Sequence, residues 1–294
     1  MNDDVISNDL TILIVLYKES YELISKTLNP INSFKKIIID NAGNESLKNK
    51  IQSNFHIEKY IVNKTNSGFS EGYNQAIKLC ETKYSLILGP DCIIQQKDIN
   101  LLLKEFLKYK NCFLVSPTSY DENMSLTYAG GKLPDNDQKI EILKLSGNTC
   151  VEATLGACML VRTKEFIEIG SFDKNFFLYF SDDDICRRVK KLKKSIIQIY
   201  DAKCIHQHGN IKVKNIYNKT FIREYNLTHD KLYYFYKVNK HDELIKIYKK
   251  KIPLYFFRVI SKFFTFKLLD AVKFLSIIIA YFMFILKYQN KFKK

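Results

Sequence analysis

The sequence predicts an α/β fold with a buried, mostly parallel sheet flanked by helices, and three observations carry that prediction. Three short β-branched apolar runs, residues 11–17, 36–40 and 84–89, are continuous rather than alternating, as expected of strands covered on both faces. Segments of helical period separate them, residues 22–28 and 72–79, giving a β-α-β-α-β order built from right-handed crossovers. Each run ends in polar residues: Tyr17, then Asp40-Asn41, then Gly89-Pro90-Asp91. Ligands in open sheets of this kind sit beyond the carboxyl ends of the strands. The three ends are therefore expected to converge on one crevice.

Further along, the pattern predicts a helix over residues 99–109 and a strand near 112–115. A polar, Gly-containing stretch, residues 118–148, then reads as loop or irregular hairpin, a length that is commonly functional. Next comes the densest cluster of chemistry in the chain. An aromatic run, residues 176–180, delivers Asp182, Asp183 and Asp184, followed by Arg187, Arg188, His206 and His208. Adjacent carboxylates repel, more strongly where apolar neighbours exclude water, so one of them can hold a raised pKa suited to proton abstraction. The competing reading is a helix cap, with Ser181 or Asp182 at the N-terminus and the other acids favoured by the helix dipole. Asp184 and Arg188 stand four apart on that helix, a spacing that allows an ion pair.

Composition narrows the function classes. With 294 residues, 46% of them hydrophobic, the chain can bury a full core. Its seven cysteines form no Cys-x-x-Cys pair, which fits reduced thiols better than a disulfide framework. The N-terminus carries Asp3 and Asp4 where a signal peptide needs basic residues, so a cytoplasmic main domain is expected. Neither a Gly-x-Gly-x-x-Gly nor a Walker sequence occurs, and no repeat of solenoid length is visible. The net charge of +15 is concentrated at the end, where residues 240–294 hold 13 Lys or Arg against 3 Asp or Glu. No nucleic-acid motif accompanies that charge, and a nucleic-acid partner is not expected.

Residues 66–74, Asn-Ser-Gly-Phe-Ser-Glu-Gly-Tyr-Asn, add two glycines that permit close backbone approach and asparagines able to bond sugar or base edges. A loop ending in a helix cap is the bland alternative. Together with the strand ends, Gly156-Ala157-Cys158-Met159, Phe172-Asp173, residues 179–188 and residues 206–209, this order of pieces resembles glycosyltransferase family 2, in particular its bacterial rhamnosyltransferase-like branch. The resemblance spans roughly residues 10–209. It implies a GT-A type fold, a nucleotide-diphosphate sugar donor, and a glycan or lipid-linked glycan acceptor. By the same resemblance Asp91 holds Mg²⁺ or Mn²⁺ with His206 as a further ligand, and Asp182 takes the acceptor proton. Tyr17, Asp40, Asn66, Gly68, Asn74, Gly156, Ala157 and Asp183 are expected to line the substrate pocket. Two positions depart from the pattern: Gly89 stands where Asp or Asn is usual, and Ser181 stands in place of Glu. The alternative they leave open is a nucleotide-sugar-binding homologue with impaired catalysis.

The expected organisation is a disordered stretch over residues 1–9, a transferase domain over 10–235, and a basic helical segment over 236–294. In that segment residues 251–267 alternate aromatic pairs with cations, the pattern of an amphipathic helix lying among lipid headgroups. The apolar run 274–286 falls short of the ~20 residues of a spanning helix. A peripheral or monotopic position at the anionic inner face of the cell membrane is the first reading, a short span the second, and a helix packed on a partner subunit the third.

Overall fold

The computed structural model describes residues 8–128, 130–135, 145–207 and 215–288. The expected disorder of the first nine residues, and His208 and Gly209 of the late histidine motif, fall wholly or mostly outside that set. The first unit comprises residues 1–174 and 181–212. Its N-terminal half follows the predicted order: β1 Leu10–Leu16, α1 Tyr21–Leu28, β2 Lys35–Asp40, α2 Glu45–Asn54, β3 Lys59–Val62, α3 Gly68–Lys78 and β4 Tyr84–Leu88. Strand β1 lies between β2 and β4, parallel to both, with Leu16 beside Asp40 and Leu13 beside Ile87. Successive residues of β1 serve opposite faces. Ile12 and Ile14 pack with Ile24, Leu28 and Ile51 on one side, whereas Leu13 and Val15 pack with Tyr73, Ala76 and Ile77 on the other.

The second half contains β5 Cys92–Ile94, α4 Gln96–Lys108, β6 Cys112–Tyr120, β7 Leu126–Tyr128, β8 Thr149–Val151, β9 Cys158–Arg162, α5 Thr163–Glu168, α6 Ser181–Lys191 and β10 Ser195–His206. All strands join one sheet of order β3-β2-β1-β4-β9-β6-β10-β5, with β7 on β6 and β8 on β10. The sheet is mixed, which corrects the expectation of a mostly parallel one. Strands β6 and β10, each entered from a helix, run parallel to one another. By contrast β9 is antiparallel to both β4 and β6, and β5 is antiparallel to β10. The polar stretch after residue 118 contributes the β6–β7 hairpin.

The second unit comprises residues 175–180 and the chain from 213 onward, with α7 Ile216–Lys237, α8 His241–Phe264 and α9 Leu268–Tyr288. Helix α7 packs with α8 and α9 around Leu232, Tyr234, Leu244, Ile278 and Phe284. Buried Asp230 fastens the short segment, accepting from the N–H groups of Leu178 at 2.9 Å and Tyr179 at 3.0 Å. The rings of Phe176 and Phe180 lie against Tyr233 and Tyr234. Helix α9 has 21 residues and is long and apolar enough to cross a membrane, longer than the apolar run alone indicates because Leu268, Leu269, Ala271 and Val272 extend it.

Candidate active site

Strand β4 ends in a tight turn that presents Asp91. Gly89 N–H donates to the Ala157 carbonyl at 2.7 Å, and Cys92 N–H donates back to the Gly89 carbonyl at 3.0 Å. Thr27 Oγ1 donates to the Pro90 carbonyl at 2.8 Å. Antiparallel pairing of β5 with β10 sets His206 directly opposite Cys92, and His206 Nε2 lies 3.4 Å from Asp91 Oδ1. The two side chains keep 14% and 18% of their surface exposed, so an ion could reach them from solvent. A Cβ at position 89 would stand 3.1 Å from Asp91 Oδ1. The glycine therefore leaves open the volume a larger residue would fill beside the carboxylate. A carboxylate and an imidazole at this separation fit a divalent cation.

The second half of the site is the start of α6. Phe180 precedes it at φ 62°, a left-handed turn that is uncommon for a bulky residue and is found at functional sites. Asp182 Oδ2 accepts from Gly156 N–H at 2.8 Å, and its Oδ1 accepts from Asp183 N–H at 3.1 Å. A Cβ on Gly156 would meet Asp182 Oδ2 at 3.2 Å and the Phe69 ring at 3.3 Å, so a larger residue there would have to displace the carboxylate or the ring by a few tenths of an ångström. Burial raises the Asp182 pKa, and the Gly156 N–H partly offsets it. Burial, followed by the neighbouring Asp182 charge, pushes Asp183 well above the ordinary carboxylate range. Asp184 takes no part: it accepts from Arg188 Nε at 2.9 Å, the predicted ion pair, and Arg188 also donates to the carbonyls of Ile169 and Ser171. Ser181, where Glu is usual, is buried with its Oγ 2.7 Å from Ser70 Oγ, tying α6 to α3.

These two halves meet through consecutive residues. Ala157 carbonyl accepts from Gly89 beside Asp91, and Gly156 N–H holds Asp182. The short turn just before β9 thus pins both carboxylate-bearing turns to the same end of the sheet.

The remaining predicted residues divide. Tyr17 is half-buried at the end of β1 and its N–H donates to Glu19 Oε2. Asn66 Oδ1 accepts from Gly68 N–H at 2.9 Å, and Gly68 adopts φ 79°, so both shape the entry to α3. Asp40 is fully buried, accepting from Ala42 N–H at 2.7 Å and Tyr60 O–H at 3.2 Å, and burial raises its pKa. Asn74 spends its amide on the backbone of Phe172, donating to the carbonyl at 2.8 Å and accepting from the N–H at 3.0 Å. It clamps α3 to that loop. Sequence reasoning missed Glu19. Its carboxyl is buried beside the strand ends, and burial, reinforced by the charges of Asp91 and Asp40, lifts its pKa to about 7. Its place two residues past Tyr17, on a strand end already assigned to the crevice, was the available signal.

Residues 11–168, more than half of the chain, match the family model described as Glycosyl transferase family 2. Similar curated proteins include the low-salt glycan biosynthesis hexosyltransferase Agl10 of Haloferax volcanii, 28% identical over 68% of this chain and 67% of that protein. Rhamnosyltransferase WbbL of Escherichia coli K12 is 26% identical over 71% of this chain and 88% of its own length. The dTDP-rhamnosyl transferase RfbF of Shigella flexneri is 25% identical over 60% of this chain and 61% of its own. Among solved structures, GalNAc-T7 with UDP, GalNAc and Mn²⁺ superposes with TM-score 0.58 at 13% identity, covering 76% of this chain and 50% of that one. Mannosyltransferase PcManGT from Pyrobaculum calidifontis, in complex with GDP-Man and Mn²⁺, gives 0.53 at 13% identity, covering 75% and 62%. This chain spans less than two thirds of either solved chain, and the likeness to them establishes a shared GT-A type fold.

Proposed function

Because the chain belongs to glycosyl transferase family 2 and is a glycosyltransferase, we propose that it transfers a hexose, rhamnose or a similar sugar, with inversion. The donor is a nucleoside-diphosphate sugar and the acceptor a hydroxyl of a lipid-linked or cell-surface glycan. The observation that carries this reading is the shared segment at residues 156 and 157, which fastens the Asp91 turn and the Asp182 carboxylate to one end of the sheet. Transfer requires two groups in one crevice: one side receives the leaving diphosphate, the other accepts a proton. Asp182 fills the second role. It takes the proton of the acceptor hydroxyl as that oxygen bonds to the anomeric carbon and the bond from that carbon to diphosphate breaks. Its raised pKa brings it nearer the value at which a general base works best at neutral pH. Asp91 and His206 would hold a divalent cation, Mg²⁺ or Mn²⁺, whose charge offsets that developing on the diphosphate. Asp183, whose pKa burial and the neighbouring Asp182 charge push well above the ordinary carboxylate range, would contribute a hydrogen bond to a substrate hydroxyl.

The Ser181 departure is accounted for by its bond to Ser70, which turns the side chain to structural use and leaves Asp182 in place. The test is Asp182→Asn. Transfer falls by at least about a hundredfold, while nucleoside-diphosphate binding measured by calorimetry stays within a factor of about three. Undiminished turnover rejects the assignment of the base, and a parent protein that binds donor without transferring or hydrolysing it supports the impaired homologue instead.

The C-terminal unit supports a place at the inner face of a membrane. Phe257, Phe264 and Phe266 are 67%, 74% and 88% exposed, among the basic residues of α8 and its C-terminal turn. Helix α9 packs along α7, which carries Glu224, Asp230 and Lys237. That packing favours a helix lying at the surface over one surrounded by lipid.

A further inference from the structure

The turn that presents Asp91 also presents a thiol. Cys92 and His206 are cross-strand partners in the β5–β10 pair, so their side chains share a sheet face at neighbouring positions. Asp91, Cys92 and His206 each offer one ligand atom, and the three atoms lie within 4.8 Å of one another. Gly89 adds an independent observation: a Cβ there would stand 3.1 Å from Asp91 Oδ1 and 3.3 Å from Cys92 Sγ. The absent side chain therefore opens one small volume bordered by both the carboxylate and the sulfur.

We infer that Cys92 is a third protein ligand beside Asp91 and His206, so that this site takes a thiophilic divalent cation of the Zn²⁺, Co²⁺ or Cd²⁺ class in preference to Mg²⁺. The inference rests on the reading that Asp91 and His206 bind a divalent cation, and it departs from the choice of Mg²⁺ or Mn²⁺ made there. A thiolate, a carboxylate and an imidazole form a mixed donor set that suits borderline ions, whereas Mg²⁺ demands oxygen. Ligands about 2.0 to 2.3 Å from such an ion sit roughly 3.5 Å apart, so adjustments on the scale of a rotamer complete the set. On binding, the thiol releases its proton to solvent, and the charges of thiolate and carboxylate together cancel that of the ion. Cys204, two residues before His206 on the same face of β10, is in thiol contact with both Cys92 and Cys158, and Ser119 Oγ lies 3.5 Å from Cys204 Sγ. The competing role for Cys92 is that of a small buried apolar side chain.

Titration of the full-length protein with Cd²⁺ alone separates the two, in a Cys80→Ser/Cys150→Ser background that removes the more exposed thiols. The readout is the ultraviolet thiolate-to-Cd²⁺ charge-transfer band. The expected result is a band that saturates near one equivalent, is lost in Cys92→Ser with at least about a hundredfold weaker Cd²⁺ binding, and survives in Cys158→Ser. Should Cys92→Ser melt earlier than the parent by circular dichroism, Cys92→Ala carries the same test. Absence of the band in the parent, or its persistence in the Cys92 variant, overturns the inference. Mn²⁺-dependent binding of a nucleoside diphosphate is measured in parallel. If it occurs and is lost in Asp91→Asn while no Cd²⁺ band forms, the thiol ligand alone is rejected. If the parent shows no metal-dependent binding at all, the reading of Asp91 falls too.

Discussion

Single residues show where burial sets chemistry. Glu19 is buried, and its pKa of about 7 against an ordinary 4.5 means that the folded protein prefers it protonated. The sign follows directly. Below pH 4.5 the carboxyl is neutral both folded and unfolded, and its contribution to stability is fully present. As pH rises toward 7 the unfolded chain gives up the proton and the folded protein does not, so stability falls and levels off above 7. The loss is on the order of 3 kcal/mol. Glu19→Gln keeps the oxygen that accepts from Tyr17 N–H and has no such titration, so its urea midpoint is expected to change less between pH 4.5 and 7.5; equal slopes for variant and parent reject the account. Lys36 shows burial acting on the opposite charge. It lies inside what reads as an apolar strand, and the structure buries its amine against the carbonyls of Ile31, Asn32 and Phe34 at 3.2, 2.9 and 2.7 Å. Desolvation lowers its pKa to about 8. Lys36→Met leaves three carbonyls without that donor and is expected to cost about 2 to 4 kcal/mol in denaturant unfolding.

Elements follow the sequence where one face or both are apolar, and depart from it where polar residues are structural. Strands β1, β2 and β4 are legible because their apolar runs are nearly continuous, and helices α1 and α3 because their apolar residues recur at helical spacing. Strand β3 is not: it has four residues on the sheet edge, with Ile61 exposed. Strand β10 is broken by Gln198, Asp201 and Lys203 and by a register shift between Ile199 and Lys203. Helix α7 buries Glu224, Asn226, Thr228 and Asp230, positions no apolar period reveals. The site divides in the same way. Asp91 and Asp182 stand out by type and context, but the facing of Cys92 and His206 depends on a pairing between strands over a hundred residues apart. Close packing of α3 on β1 gives the prediction at this scale. A Cβ on Gly72 would sit 2.7 Å from Val15 Cγ1 and 3.3 Å from Asn41 Nδ2. Gly72→Ala is therefore expected to cost about 1 to 3 kcal/mol, whereas at Gly147, with nothing within 4 Å, Gly→Ala stays within about 0.5 kcal/mol. Equal urea midpoints for the two variants contradict the packing argument.

At the scale of the whole chain, the distribution of charge and aromatic surface sets the partner. The C-terminal stretch carries most of the net +15, and it also carries large apolar side chains that are exposed among the described residues: Phe256, Phe257, Phe263, Phe264 and Phe266. An aqueous face of that kind is costly unless something removes it from water. Charge alone and charge with insertion predict different behaviour. Lysines near an anionic surface contribute about 1 kcal/mol each, and that attraction is screened by salt. Aromatic insertion is insensitive to screening and contributes about 1 kcal/mol for each half-buried ring. Replacing Phe256, Phe257, Phe263 and Phe264 together by Ser is therefore expected to lower partitioning onto phosphatidylglycerol vesicles by at least about a hundredfold without changing the helix content seen by circular dichroism. In the parent protein, raising salt to 0.5 M removes only part of the binding, and alkaline carbonate releases the protein, because a helix lying on the surface has no hydrocarbon-spanning segment to hold it. Retention through carbonate treatment assigns α9 to a span, and vesicle binding that is indifferent to the four Phe→Ser changes leaves only electrostatics and defeats the insertion argument.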